Sequence, residues 1–315
     1  MVKYIFKRLA YMILTMWIII TATFFLMNTL PGDPVQTGTK LLPEAVAKNI
    51  RAKWGLDKPV TERYVIYLNN LVHGDLGESM KTPGLTANKI IKEKFPVSAR
   101  LGLQAVLFGL TIGLILGIIA ALKRNTWVDY VVILVAIIGV SVPSFVLAAL
   151  LQKYLGGKFF PIIGWPTSHV WTTGFKYTVL PTLAASLGSI AVYSRFMRTS
   201  LLDVLGNDYI LTAKSKGLSQ FKIISKHAMR NSITPIITLL APQIAGIVTG
   251  SFVIERIFCI PGLGMYYVES INGRDFTMIM ATTVFFSFFF ILSIVIMDIL
   301  YTVIDPRVRI TNTAK

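Results

Sequence analysis

Residues able to do covalent chemistry are sparse in this chain, and none is spaced for it. One cysteine, Cys259, and three histidines, His73, His169 and His227, lie far apart in the sequence. That excludes an internal disulfide and a Cys/His metal set. No G-x4-G-K-[ST] phosphate loop occurs, and no H-E-x-x-H or G-x-S-x-G. Proton chemistry inside a membrane would want acids or histidines in series within apolar runs. Gln104, Gln243 and Asp298 are polar within or near such runs, and Asp298 lies near the inner end of its run. The catalytic and metal sets are therefore empty, and no cofactor is expected in the chain. What remains is the chemistry of docking. Between two apolar runs, residues 207–231 read NDYILTAKSKGLSQFKIISKHAMRN. Tyr209, Thr212, Ala213, Lys216, Gly217 and Gln220 recur at helical spacing on one face, small at its centre, where another backbone can come close. Gly217 reads as a helix stop and Ser219 as the cap of a following helix. Lys214, Lys216, Lys222, Lys226 and Arg230 make the stretch basic.

Apolar runs must hold this stretch in place. Hydrophobic residues are 54% of the chain and the mean hydropathy is +0.65. A soluble domain of 315 residues cannot hide that much apolar surface, so the chain is read as an integral membrane protein. The net charge of +16 comes from residues flanking apolar runs. Its partner is the lipid bilayer and not nucleic acid. Runs at 9–30, 99–122, 128–151, 177–197, 233–254 and 278–304 predict six spanning helices. The first follows Lys3, Lys7 and Arg8, is too long for a signal h-region and lacks a cleavage site, so it stays. Residues 31–98 form the one long polar section. Its amphipathic pieces at 45–54 and 61–72, with Pro/Gly punctuation between, predict a small folded insertion outside the membrane. Basic residues in the short loops put both termini and residues 207–231 in the cytoplasm.

Within the spans, Gly109, Gly113 and Gly117 recur at spacing four, with Ala121 next, and Gly246 and Gly250 repeat the pattern. Such faces are smooth enough for close helix packing. Pro143, Pro181, Pro235 and Pro242 interrupt helices, which is tolerated where spans pack in protein and line a path. Gln104, Ser141, Pro143 and Gln243 are the candidate path-lining residues.

Thr212, Ala213 and Gly217, with Ile233 and Pro235 downstream, resemble the cytoplasmic coupling loop of ABC importer permeases, the EAA loop. The full string, Asp-Tyr, Thr-Ala, Lys-Gly and His-Ala-Met-Arg-Asn, is similar to the peptide and nickel branch. Leu30-Pro31-Gly32-Asp33-Pro34, Tyr67-Leu68 through His73-Gly74-Asp75-Leu76-Gly77, Ile260-Pro261-Gly262-Leu263-Gly264 and the ending Asp298, Tyr301, Ile304-Asp305-Pro306-Arg307 also resemble family signatures, in family order. The chain as a whole looks like the B-type permease subunit of an oligopeptide or dipeptide ABC importer. Thr212 departs from the Glu or Ala of the broader superfamily, and Cys259 sits where alanine is common.

The resemblance implies an all-α integral membrane fold of the type I importer kind. It implies six transmembrane helices in a single domain over residues 1–315, with an external insertion at 31–98 and a coupling loop at 207–231. Asp208, Tyr209, Thr212, Ala213, Lys216, Gly217 and Ile223 are the implied ATPase-coupling residues. The implied partners are a second homologous permease, one or two ABC ATPase subunits holding ATP and Mg, and an extracellular or periplasmic peptide-binding protein. The implied place is the cell membrane of a prokaryote. The implied activity is oligopeptide import, with no chemistry in this chain. A nickel or metallophore permease shares these motifs. The competing class, a gradient-driven secondary transporter, would want acidic or histidine relays inside the spans.

Overall fold

The computed structural model describes residues 2–29, 54–166, 172–249 and 252–304, with isolated positions at 44, 48, 51 and 52. The signature at 30–34, most of the piece at 45–54, Gly250 and the end of the chain from 305 lie outside the described residues. Among the described residues the fold is helical, with two isolated β-bridges, Glu78 to Thr86 and Gly156 to Phe160. In chain order the helices are α1 (Val2–Thr29), α2 (Val60–Val72), α3 (Ala87–Leu122), α4 (Trp127–Ser141), α5 (Ser144–Leu155), α6 (Lys176–Leu205), α7 (Asp208–Ser215), α8 (Gln220–Lys222), α9 (Met229–Ser232), α10 (Thr234–Thr249), α11 (Phe252–Ile257), α12 (Leu263–Gly273) and α13 (Phe276–Ile304).

Four stretches are long and apolar enough to cross a membrane: Ile5–Thr29, Ala87–Leu122, Thr173–Leu205 and Phe276–Ile296. A fifth is the pair α4 and α5, bent by 108° at Val142 and Pro143. The run 128–151, read as a span that Pro143 interrupts, is thus broken at that proline. Its ring disfavours helical backbone at the residue before it, and Val142 is extended at φ −85° and ψ 120°. The other prolines do not break their helices. Pro181 lies inside α6, Pro235 in the first turn of α10 and Pro242 within it. The run 233–254 appears as the 16-residue α10, with α11 following after two undescribed residues. The run read as starting at 99 is helical from Ala87, with Pro96 inside it, so the end of the expected insertion is continuous with a span.

The chain divides into two compact units, Met1–Ser98 with Pro261–Val303 and Ala99–Ile260 with Ile304–Lys315. In the first unit, α2 packs on α1 through rings. Phe24 lies 5.3 Å from Tyr64 and 5.4 Å from Tyr67, and the Tyr64 and Thr21 hydroxyls are hydrogen-bonded at 2.6 Å. Burial there pushes the Tyr67 phenol well above its usual range. The turn after α2 needs glycine. Gly74 and Gly77 have φ of +79° and +94°, and a Cβ on Gly77 would stand 2.6 Å from Thr277 Cγ2. Asp275 ties this turn to the start of α13. The Ser79 hydroxyl donates to it, and it accepts from the Met80 amide at 3.2 Å and the Met278 amide at 3.3 Å. Ile90 and Ile91 are buried against Leu263 and Phe286. Leu263, from the Ile260–Gly264 signature, is wholly buried, with its amide on Ser98 Oγ at 2.8 Å.

The second unit is built around α6. Its buried ridge, Ser189, Tyr193 and Met197, recurs every fourth residue, as do the glycines of α3. A Cβ on Gly109 would meet Ser189 Cβ at 2.9 Å, one on Gly113 would meet Tyr193 Cβ at 2.7 Å, and one on Gly117 would meet Met197 Cβ at 2.6 Å. The expected smooth face therefore exists, and only glycine fits it at this separation. Gly139 does the same for α4, where a Cβ would come within 2.8 Å of Ala191 Cβ. Among the described residues, a Cβ on Gly246 would meet nothing within 4 Å.

Candidate functional site

The stretch 207–231 folds as helix, glycine turn, helix. Asn207 precedes α7 in an extended conformation, and its side chain donates to the Asp203 and Val204 carbonyls at 3.2 Å each. Gly217 ends the helix at φ +73°, where the Leu218 amide bonds back to the Ala213 carbonyl at 3.3 Å. Ser219 then caps α8, its hydroxyl accepting from the Lys222 amide at 3.4 Å. The second limb is not a plain α-helix, because Ile223–Ala228 is a π turn. A five-residue step carries the buried face from Ile223 to Ala228 and leaves His227 half-buried to the side.

Two faces of this loop do different work. Ile210, Ala213, Ile223 and Ala228 are buried against Tyr193, Met197, Leu201 and Val204 of α6 and Ile236 of α10. Ala213 and Ile223, read from sequence as coupling residues, are thus anchors of the loop on its own helix bundle. The helical face read from the sequence is split accordingly, for Thr212, Lys216, Gly217 and Gln220 are exposed. Asp208 is exposed, and Tyr209 is exposed with its hydroxyl accepting from Asn231 Nδ2 at 2.9 Å, which joins the two limbs. The outer face also carries Leu211 and Phe221, exposed to 63% and 81%. Sequence reading missed Phe221. Its signal was an aromatic residue directly after the cap of a basic helix.

A buried ion pair was missed as well. Asp129 of α4 is 1% exposed, and Arg198 of α6 grips it through two nitrogens at 2.6 and 2.7 Å. The Asn125 amide adds a third bond at 3.0 Å. Asp129 is the one acid between Glu93 and Asp203, which marks it in hindsight. A lone acid at the head of an apolar helix requires a partner.

The path-lining candidates fall into three grooves of the second unit. Gln104 lies in one of about 650 Å³, between α3 and α6, donating to Thr178 Oγ1 at 2.9 Å. Ser141 lies in another of about 400 Å³, with Arg195 and Arg198 at its rim. Gln243 lines a third of about 330 Å³ beside the α4–α5 bend that Pro143 makes, and accepts from Ser189 Oγ at 3.0 Å. Gln104 and Gln243 are therefore not in one cavity. Asp298 is within α13, and its side chain is outside the described residues.

Comparison with known proteins covers nearly the whole chain. Residues 113–310 match the family described as binding-protein-dependent transport system inner membrane component, and residues 1–99 match the N-terminal membrane component of such systems. The chain is 45% identical to the dipeptide transport system permease protein DppB of Bacillus subtilis, over 98% of this chain and 99% of that protein. It is 41% identical to DppB of Lactococcus lactis and 40% identical to the oligopeptide transport system permease protein OppB of Haemophilus influenzae, each over 98% of this chain and 100% of the relative. The chain belongs to the family of inner membrane components of binding-protein-dependent transport systems.

Proposed function

We propose that this chain is one permease subunit of an ATP-driven ABC importer for peptides, and that with a homologous permease it forms the path across the cell membrane. The observation that carries this reading is the loop 207–231, a compact lever with a buried face on α6 and an exposed face of Tyr209, Leu211, Thr212, Lys216 and Phe221. The permease relatives, each a component of a dipeptide or oligopeptide transport system, support peptide as the cargo. In this reading the chain is a single transmembrane domain with six spans. The segment 31–98 is outside, and the loop and both termini are inside, as the basic short loops favour.

The mechanism follows from the anchors. Partner ATPase subunits bind ATP and Mg and dock on the exposed face of the loop. When they close, they push on a body whose Ile210, Ala213, Ile223 and Ala228 are locked to the inner end of α6. Helix α6 runs for 30 residues, about 45 Å at 1.5 Å per residue, so its whole length moves with the loop. A peptide-binding protein delivers cargo from outside, and this chain supplies the path and the lever while hydrolysis occurs elsewhere.

Purification of the tagged chain from its native membrane tests the reading. An ABC ATPase, a second permease and a peptide-binding protein should co-purify. The reconstituted assembly should take up labelled di- and tetrapeptides only with ATP, and nickel complexes not at all. Co-purification without an ATPase, or ATP-driven uptake of nickel complexes in place of peptide, would sink it.

A further inference from the structure

The groove beside Gln243 is built where α4 breaks, and the break takes the helical donor from one backbone acceptor. Residue 143 is proline, so the Gly139 carbonyl has no N–H four residues on. Across the bend the Val142 amide bonds to Ile138 at 2.9 Å, and the amides of Val146 and Leu147 bond to Pro143. The Val142 amide goes to Ile138 and Pro143 has no amide, so the Gly139 carbonyl accepts from neither of the two residues that would close its helical turn. Gly139 and Val140 line the groove with Val142 and Ser144. Facing them on α6 are Ala184, Ala185 and Gly188, kept so small that a Cβ on Gly188 would meet the Gly139 oxygen at 3.7 Å and nothing closer. Gln243 spends its side-chain oxygen on Ser189, which leaves its amide NH2 as a donor at the groove wall.

The depth of this place is informative. Leu187, Gly188, Ser189 and Val192 fall in the middle third of the Lys176–Leu205 helix, and Gln243 lies near the middle of Thr234–Thr249. Two long helices therefore present their middles to the groove where α4 ends. At the centre of a bilayer, irregular backbone persists only where it is buried in protein or lines a watered cavity. In secondary transporters, carbonyls freed by broken helices at that depth serve as ligand acceptors for the coupling cation.

We propose that this groove is a cradle for the main chain of a peptide in transit. A peptide N–H donates to the Gly139 carbonyl, and the Gln243 amide donates to a peptide carbonyl. The ligand class is unmodified, extended peptide backbone. Because the contacts are main-chain to main-chain, the cradle is indifferent to side-chain identity. At about 330 Å³ it takes a short stretch of backbone and not a folded peptide. The proposal rests on the importer reading above and names what the cargo touches within it.

The test uses the complete importer, reconstituted in liposomes with its partner subunits and binding protein. Ser144 is exposed at the groove edge, and Ser144→Cys in a Cys259→Ser background places a thiol there. During turnover, tetra-alanine should slow alkylation of S144C at least threefold. Tetra-alanine methylated on its backbone nitrogens, supplied at a concentration saturating the binding protein, should give less than half that protection. Gly188→Leu, which fills the groove, should lower uptake at least tenfold while still co-purifying with its partners, and Gly188→Ala should lower it far less. If alkylation is unchanged while uptake proceeds, or if G188L transports at the unsubstituted rate, the cradle is wrong and the importer reading stands. If the unsubstituted assembly shows no ATP-dependent peptide uptake, the importer reading itself fails and takes the cradle with it.

Discussion

Gly217 and Ala213 are four residues apart, and the structure gives them opposite vulnerabilities. Gly217 has φ +73° and open space where a Cβ would go, so a side chain there is opposed by backbone strain alone. Gly217→Val should cost about 1–2 kcal/mol locally, and Gly217→Asn less, because asparagine tolerates the left-handed region. Hydrogen exchange of residues 208–232 should rise in G217V and barely move in G217N, with yield unchanged in both. Ala213, by contrast, is buried in the cluster on α6. Ala213→Asp buries a charge without a partner, a burden of several kcal/mol, so protein yield should fall sharply. Lys216→Glu, on the exposed face, should keep yield and weaken retention of the ATPase. The Asp129–Arg198 pair follows the same logic of burial. Asp129→Ala removes two charge-assisted bonds from Arg198, which is 22% exposed and can reach the groove beside Ser141, and should cost about 1.5–3 kcal/mol, read as a drop in melting temperature in detergent. Asp129→Asn with Arg198→Gln should recover part of that loss.

At the scale of elements, the seam between α3 and α6 is decided by backbone approach. A methyl on Gly117 would lie 2.6 Å from both Met197 Cβ and the Ser194 carbonyl, so the helices must separate. Gly117→Ala should therefore cost about 1–3 kcal/mol as overpacking. Gly246→Ala meets nothing within 4 Å and should be neutral or slightly stabilising, since alanine favours a helix interior by about 0.5–1 kcal/mol over glycine. Paired thermal melts in one detergent compare them, and an equal shift for the two variants would contradict the seam. Glycine spacing alone treats both sites alike, because it reports which faces are smooth and not which are covered.

For the whole molecule, the sided arrangement is the property that function needs. Ser219 and Thr82 are exposed, as is Cys259. In a Cys259→Ser background, Thr82→Cys should react with an impermeant thiol reagent added outside intact cells, and Ser219→Cys should react only after the membrane is opened. Outside labelling at position 219 would invert the topology and overturn the proposal that the loop docks an ATPase.

Apolar runs, flanking charge and local caps were legible in the sequence because each depends on neighbours within a turn or two. The helical class, the glycine stop at Gly217, the cap at Ser219 and the α2 helix all follow from such local terms. The small face of Gly109, Gly113 and Gly117 was legible as a pattern, whereas its partner ridge on α6 was not. The same holds for Ala213 and Ile223, whose inward role depends on where α6 stands. The π turn that brings Ala228 inward, the pairing of Asp129 with Arg198 across 69 positions, and the 108° bend that groups Gly139, Gly188 and Gln243 are tertiary outcomes. Sequence spacing states which residues can share a face, but which face meets protein is settled only when distant helices pack and bury it.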